Sequence, residues 1–227
     1  MPDAPIPEGL GAPREADDRT QLFDQPWLPN IDAVDTVYRG KIWDIRHETF
    51  HFGDVKLGRD FMQHTGAVAV LALDECDRLL VIRQYRHALR LREWELPAGL
   101  LDVSGESPLV CAQRELAEEA DLIASDWSVL LDYATSPGGS NEVVRVYLAR
   151  GLSDAPEAHA REAEEADMEV RWVTLDEARE AVLQGRVSNS IFVVSILAAV
   201  AQRDEGWAHL RAPDAPWPLL QWRDATL

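Results

Sequence analysis

The sequence predicts an α+β fold, an α/β/α sandwich with a mixed β-sheet and an added antiparallel sheet at its N-terminal end. Three observations carry that expectation. Apolar residues make up 46% of the 227-residue chain, ample for the core of one sizeable domain. Strand-like segments follow one another too closely for repeated strand–helix–strand units. Helical periodicity is confined to Pro108–Ala120, Leu175–Leu183 and Ser190–Gln202, all after the first group of strands. No internal repeat interrupts this order.

Residues 1 to about 30 are rich in Pro, Asp and Glu and lack periodicity, so 1–35 is expected to be a mobile tail. Val37–Phe52 and Val55–His64 alternate apolar and polar residues around Gly53-Asp54, which predicts a hairpin over 36–64. Ala67–Leu73 and Leu79–Tyr85 read as core strands, and Trp94–Leu96 as a short strand stopped by Pro97. Ser107 and Pro108 supply a cap and a first helical residue for the helix ending at Ala120. Trp127–Tyr133, Val143–Leu148 and Met168–Val173 are expected strands, with a charged loop at 154–166. Two helices complete a main domain at 65–203. The tail at 204–227 holds Trp207, Trp217 and Trp222 and is expected to pack on a surface groove or a partner subunit.

Forty acidic against 22 basic residues leave a formal charge of −18. Such a surface repels phosphate backbones, which argues against nucleic acid as a partner. A small anionic substrate would need metal ions or clustered Arg. Cys76 and Cys111 form neither a disulfide framework nor a zinc site, and they fit reduced thiols. The first twenty residues lack the basic and apolar regions of a secretory signal, and no apolar stretch is long enough for a membrane span. A cytoplasmic protein is expected.

The chemistry concentrates in Glu93–Leu122. Glu115, Glu118 and Glu119 fall at i, i+3 and i+4 of the first helix, on one face. An acidic run alone is ordinarily a solvated helix face. Three like charges on one stripe destabilise an isolated helix, and a hard cation, Mg²⁺ or Mn²⁺, would relieve them. Arg114 could brace Glu118 or Glu106.

The surrounding spacing resembles the Nudix family pattern of Gly, five residues, Glu, seven residues, then Arg-Glu-aliphatic-any-Glu-Glu-any-Gly-aliphatic. Gly99, Glu106 and Arg114-Glu115-Leu116-Ala117-Glu118-Glu119-Ala120-Asp121-Leu122 follow it with two departures. Six residues, not five, separate Gly99 from Glu106, and Gly105 can absorb the extra one. Asp121 stands where the pattern has Gly, a left-handed position that Asp tolerates better than most residues.

The resemblance implies a Nudix fold and metal-dependent hydrolysis of a nucleoside diphosphate linked to another group. By that resemblance Glu115, Glu118 and Glu119, with the Ala98 carbonyl, hold two or three divalent ions, and water attacks a phosphorus in line. Arg83-Gln84-Tyr85-Arg86 before Trp94-Glu95-Leu96-Pro97-Ala98-Gly99, and Pro137 sixteen residues after Asp121, resemble the ADP-ribose pyrophosphatase branch. The likeness spans roughly residues 36–203. It implies AMP and ribose 5-phosphate as products and a substrate surface of Arg86, Leu100, Pro137, Gly138 and Glu142. It further implies a homodimer with an exchanged N-terminal sheet, in which Arg59 and Asp60 reach the neighbouring subunit's site. Trp43 is a candidate aromatic near adenine. A further catalytic glutamate is expected in the loop Arg161–Met168, at Glu164 or else Glu165. Two alternatives stand beside this reading: a pyrophosphatase for another nucleotide sugar such as GDP-mannose, and a non-hydrolysing nucleotide-sugar sensor. The sensor reading sits poorly with three intact box glutamates and no helix-turn-helix segment.

Overall fold

The computed structural model describes residues 24–156 and 168–224. It holds three sheets. An N-terminal antiparallel sheet contains β1 (Asn30–Arg39), β2 (Asp44–Phe52) and β3 (Val55–Gln63), in that order. A four-stranded mixed sheet has the order β7-β4-β9-β8, made of β7 (Ala98–Leu100), β4 (Ala67–Ala72), β9 (Val143–Asp154) and β8 (Leu122–Ala134). The third, ordered β10-β5-β6, is built from β10 (Glu169–Thr174), β5 (Arg78–Arg86) and β6 (Leu91–Glu95). Strands β4 and β9 run parallel, while β7 and β8 are antiparallel to their neighbours, so the central sheet is mixed.

Strand β4 is buried along its whole length, and its period of two divides the core. Val68, Val70 and Ala72 join Cys111, Ala112, Leu116 and Ala120 of helix α1 (Pro108–Ala120) in one cluster. Ala67, Ala69 and Leu71 join Ala178 of α2 (Leu175–Leu183) and Phe192, Ile196 and Ala199 of α3 (Ser190–Asp204) in the other. Helices on both faces make the α/β/α sandwich. Each fully buried Leu, Ile or Val contributes about 1.5–3 kcal/mol, so these two layers dominate the stability. Helix α1 seats on Cys111, Ala112, Leu116 and Ala120, whereas Val110, one of the apolar residues available for that seat, is exposed.

The elements differ from expectation at three places. The first strand begins at Asn30, inside the stretch assigned to a mobile tail, because pairing with β2 satisfies its backbone despite the polar sequence. The rest of that expected tail, residues 1–23, lies outside the described residues. Val37–Phe52 is two strands, because the chain bends at Gly40–Trp43. There the Gly40 amide donates to Asp44 Oδ1 at 3.1 Å, and a Cβ on Gly40 would stand 2.2 Å from the Trp43 carbonyl oxygen. Strands also continue on both sides of Pro97, as β6 and β7. The C-terminal segment lies against the central sheet, one of the two placements expected of it, and carries a short helix, α4 (Pro218–Asp224). Among the described residues, no helix is long and apolar enough to cross a membrane.

Candidate active site

The acidic stripe is placed by the way α1 starts and stops. Ser107 Oγ accepts the Val110 amide at 3.3 Å and Pro108 occupies the first turn, so the helix begins where the sequence indicated. Asp121 closes it in the left-handed conformation, φ 54°, with its amide donating to the Ala117 carbonyl at 3.1 Å. The loop before the helix turns at Gly105, φ +81°, which accommodates the additional residue.

Strand β7 passes directly under the stripe. A Cβ on Gly99 would lie 1.9 Å from Glu115 Oε1 and 2.1 Å from its Cδ, so only glycine lets that carboxylate lie against the strand. The Ala98 amide donates to Glu119 Oε2 at 2.9 Å, and Glu119 is 7% exposed. Arg114 ties the remaining acids together. Its Nε and Nη2 fork onto Glu106 Oε1 and Oε2 at 2.9 and 3.0 Å, and its Nη1 donates to Glu115 Oε1 at 2.6 Å and Glu118 Oε2 at 3.0 Å. Hydrogen bonding to Glu106 is the main cause that raises the Arg114 pKa further above its ordinary value. Burial raises the pKa of Glu115 in spite of Arg114, since desolvation penalises its charged form. Cys111, beneath Arg114, has its thiol pushed up to about 12, chiefly by burial, so it stays protonated and no soft thiolate competes in the site.

This donor set fits a hard divalent cation. It is all oxygen, gathered on one stripe, and the Gly99 gap brings strand backbone and carboxylate into contact. Among the described residues, no three acidic, His or Cys groups already stand in the tight convergence of a filled metal site. Arg114 fixes Glu115, and the Ala98 amide fixes Glu119.

A second acidic layer escaped the sequence reading as site residues. Glu95 and Glu93 of β6 are only 2% and 7% exposed. Arg86 Nε and Nη2 fork onto Glu95 Oε1 and Oε2 at 2.7 and 2.6 Å, so the guanidinium expected to face substrate is committed to a buried carboxylate of the adjacent strand. That hydrogen bonding raises the Arg86 pKa, and Glu119 and Glu93 add to it through space. The signal was present in Glu93-Trp94-Glu95, whose two acids point to the same side of a strand, next to the box.

The Ser136–Glu142 turn is bound to the N-terminal sheet. The Met62 amide donates to the Gly139 carbonyl at 2.9 Å, and the Asn141 amide returns to the Met62 carbonyl at 3.1 Å. Glu142 accepts from Thr135 Oγ1 at 2.7 Å and faces His64 Nε2 at 3.6 Å. Pro137 and Gly138 are exposed at the tip of this turn. Leu100 pairs with Ala67, and its carbonyl accepts the Cys111 thiol at 3.3 Å. Trp43, partly exposed, lines a cleft with Arg46, His64 and Leu101. Arg59 and Asp60 lie on β3, where Arg59 donates to the Gly58 carbonyl at 2.8 Å and Asp60 pairs with His47 at 2.8 Å. Glu164 and Glu165 lie outside the described residues.

A family model described as the NUDIX domain matches residues 62–191. An ADP-ribose pyrophosphatase of Mycobacterium tuberculosis is 45% identical over 188 residues, covering 82% of this chain and 89% of that protein. An ADP-ribose pyrophosphatase of Bacillus subtilis is 35% identical over 66% of this chain and 80% of its own length. A methanol dehydrogenase activator of Bacillus methanolicus is 36% identical over 61% and 74%. The crystal structure of an ADP compounds hydrolase superposes with a TM-score of 0.65 at 23% identity, over 82% of this chain and 99% of that one, a likeness of fold.

Proposed function

The chain belongs to the Nudix family, and from that premise we propose that it hydrolyses the diphosphate of ADP-ribose to AMP and ribose 5-phosphate. The observation that carries the chemistry is the contact of Gly99 with Glu115, which brings the carboxylate stripe onto strand backbone. The choice of substrate is supported by the 45% identity to an ADP-ribose pyrophosphatase across most of both chains.

Glu115, Glu118 and Glu119, with the Ala98 carbonyl, would hold Mg²⁺ or Mn²⁺, which when bound offsets the diphosphate charge and activates the attacking water. Arg114 orients Glu115 and Glu118 from below and is itself fixed by Glu106. Arg86 is held by Glu95, and its side chain, still 47% exposed, is the cation assigned to the substrate's phosphate or terminal ribose. Pro137, Gly138, Glu142 and Leu100 border the sugar or nucleotide. Glu164 serves as a loop residue at the reacting centre, with Glu165 as its alternate.

The protein functions as a homodimer in which the N-terminal sheet of one copy covers the site of the other and delivers Arg59 and Asp60. Val34, Val37, Tyr38, Phe52 and Val55 on that sheet are all exposed large apolar residues, which supports its being covered by a second copy. A cytoplasmic location is supported by the free thiols of Cys76 and Cys111.

A substrate panel in Mg²⁺ and in Mn²⁺ tests the proposal. The expected result is AMP and ribose 5-phosphate from ADP-ribose at a higher kcat/KM than any other nucleotide sugar. Rapid turnover of GDP-mannose with none of ADP-ribose would overturn the substrate assignment. Glu164→Gln is expected to lower kcat with little change in KM, and a drop in Glu165→Gln instead would move the role by one residue. Sedimentation at micromolar concentration should show a dimer, and a monomer there would contradict the exchanged sheet.

A further inference from the structure

The N-terminal sheet meets the sandwich at a three-residue linker, His64-Thr65-Gly66, between β3 and β4. The His64 amide donates to Asn141 Oδ1 at 2.7 Å, and its Nδ1 accepts the Gly66 amide at 3.1 Å. Together with the two Met62 hydrogen bonds, these join the linker to the Ser136–Glu142 turn as one unit.

A segment distant in sequence grips the same linker. Arg223 of α4 donates from Nη1 to the His64 carbonyl at 3.2 Å and from Nη2 to the Thr65 carbonyl at 3.1 Å. Its guanidinium also packs on Gly66, where a Cβ would stand 3.1 Å from Nη1. Helix α4 is itself anchored. Trp217, just before it, is 4% exposed and lies under the Arg145 guanidinium, 4.8 Å from the ring centroid. Arg145 donates to the carbonyls of Ala215 and Pro216 at 2.8 and 3.0 Å and forks onto Asp132. Arg211 adds a second contact to Asp132 at 2.9 Å and pairs its backbone with Val129. The stretch from Arg211 to Arg223 is thus a strap, fixed to the central sheet at one end and to the linker at the other.

We propose that Arg223 is a positioning residue for substrate binding: through the His64 and Thr65 carbonyls it sets the position of the β3–β4 linker and, with it, of the Ser136–Glu142 turn assigned above to the substrate. The geometry requires a planar fork, because two adjacent carbonyls accept from two nitrogens of one guanidinium. A lysine ammonium keeps the charge without that fork. The kinetic half of this inference rests on the ADP-ribose reading; the structural half does not.

The test uses full-length Arg223→Ala and Arg223→Lys. In Arg223→Ala, hydrogen–deuterium exchange is expected to quicken at the amides of Met62, His64 and Asn141 while those of 112–120 keep their protection. KM for ADP-ribose should rise about tenfold, the scale of one lost charge-assisted hydrogen bond, with kcat within about twofold. Arg223→Lys should fall between wild type and Arg223→Ala in both measurements, and it carries the test if the alanine variant is insoluble. Unchanged exchange at those amides overturns the positioning. Faster exchange with unchanged KM overturns its role in binding, as does a fall confined to kcat. Should wild type prove inactive on ADP-ribose, the exchange result still decides the positioning, so the two failures are distinguishable.

Discussion

Gly99 and Glu115 are in such close contact that the missing Cβ of one is the space used by the carboxylate of the other, 1.9 Å from where that Cβ would be. Gly99→Ala must therefore push Glu115 off the strand. The expected outcome is a folded protein with circular dichroism like wild type and a kcat lower by on the order of 100-fold, the cost of moving a reacting group by about 1 Å. Near-normal turnover of ADP-ribose in this variant would show that the contact is incidental.

Glu119→Gln keeps the side-chain shape and an acceptor for the Ala98 amide but removes a charge from a nearly buried position. Turnover should fall further than the roughly 10–100-fold typical of groups that only support metal ligands. Thermal unfolding without added metal should match wild type to within a few degrees. Activity close to wild type would remove Glu119 from the ligand set.

Arg114→Lys preserves charge and loses the fork onto Glu106 together with the simultaneous contacts to Glu115 and Glu118. Half-saturating Mg²⁺ is expected to rise by about 10–100-fold, as for other residues that orient ligands. A Mg²⁺ titration that overlays wild type would argue that the carboxylates hold their places without Arg114.

The His64 side chain is largely covered, its Nδ1 accepts the Gly66 amide, and its pKa is lowered from 6.5, chiefly by desolvation, with Glu142 opposing and Arg223 assisting. A folded-state pKa below the unfolded one means the neutral ring contributes stability above pH 6.5 that is lost as the pH falls through the folded value. Wild type should lose more unfolding free energy between pH 7.5 and pH 5 than His64→Gln. Parallel losses, measured by urea unfolding, would assign the acid sensitivity to other groups.

Asp132 receives Arg145 at 2.7 and 2.9 Å and Arg211 at 2.9 Å, and the Arg145 side chain is only 3% exposed. Removing the acid strands that cation against the central sheet. Asp132→Ala is expected to lower the unfolding free energy by about 3–5 kcal/mol, measured by denaturant titration. A loss below about 1 kcal/mol would place the pair among weakly coupled surface ions.

The sequence by itself determined the helix that carries the chemistry. Ser107 and Asp121 bound α1 through hydrogen bonds to residues three or four positions away, Pro108 starts it with a fixed φ, and a 3.6-residue period sets Glu115, Glu118 and Glu119 on one face. The buried strand β4 was legible for the same reason, since an uninterrupted apolar run has one low-energy place to go. Local chemistry could not reveal which distant groups face one another. Arg86 turning to Glu95, the Pro137 turn joined to Met62 and Arg223 reaching the His64 and Thr65 carbonyls are contacts across 9 to 159 residues. Each depends on strand register and on how the C-terminal strap crosses the sheet, and no short stretch of residues encodes either. The structure therefore decided how the acidic stripe is framed: Gly99 opens the floor, Arg114 holds Glu106, Glu115 and Glu118, and the Ala98 amide holds Glu119.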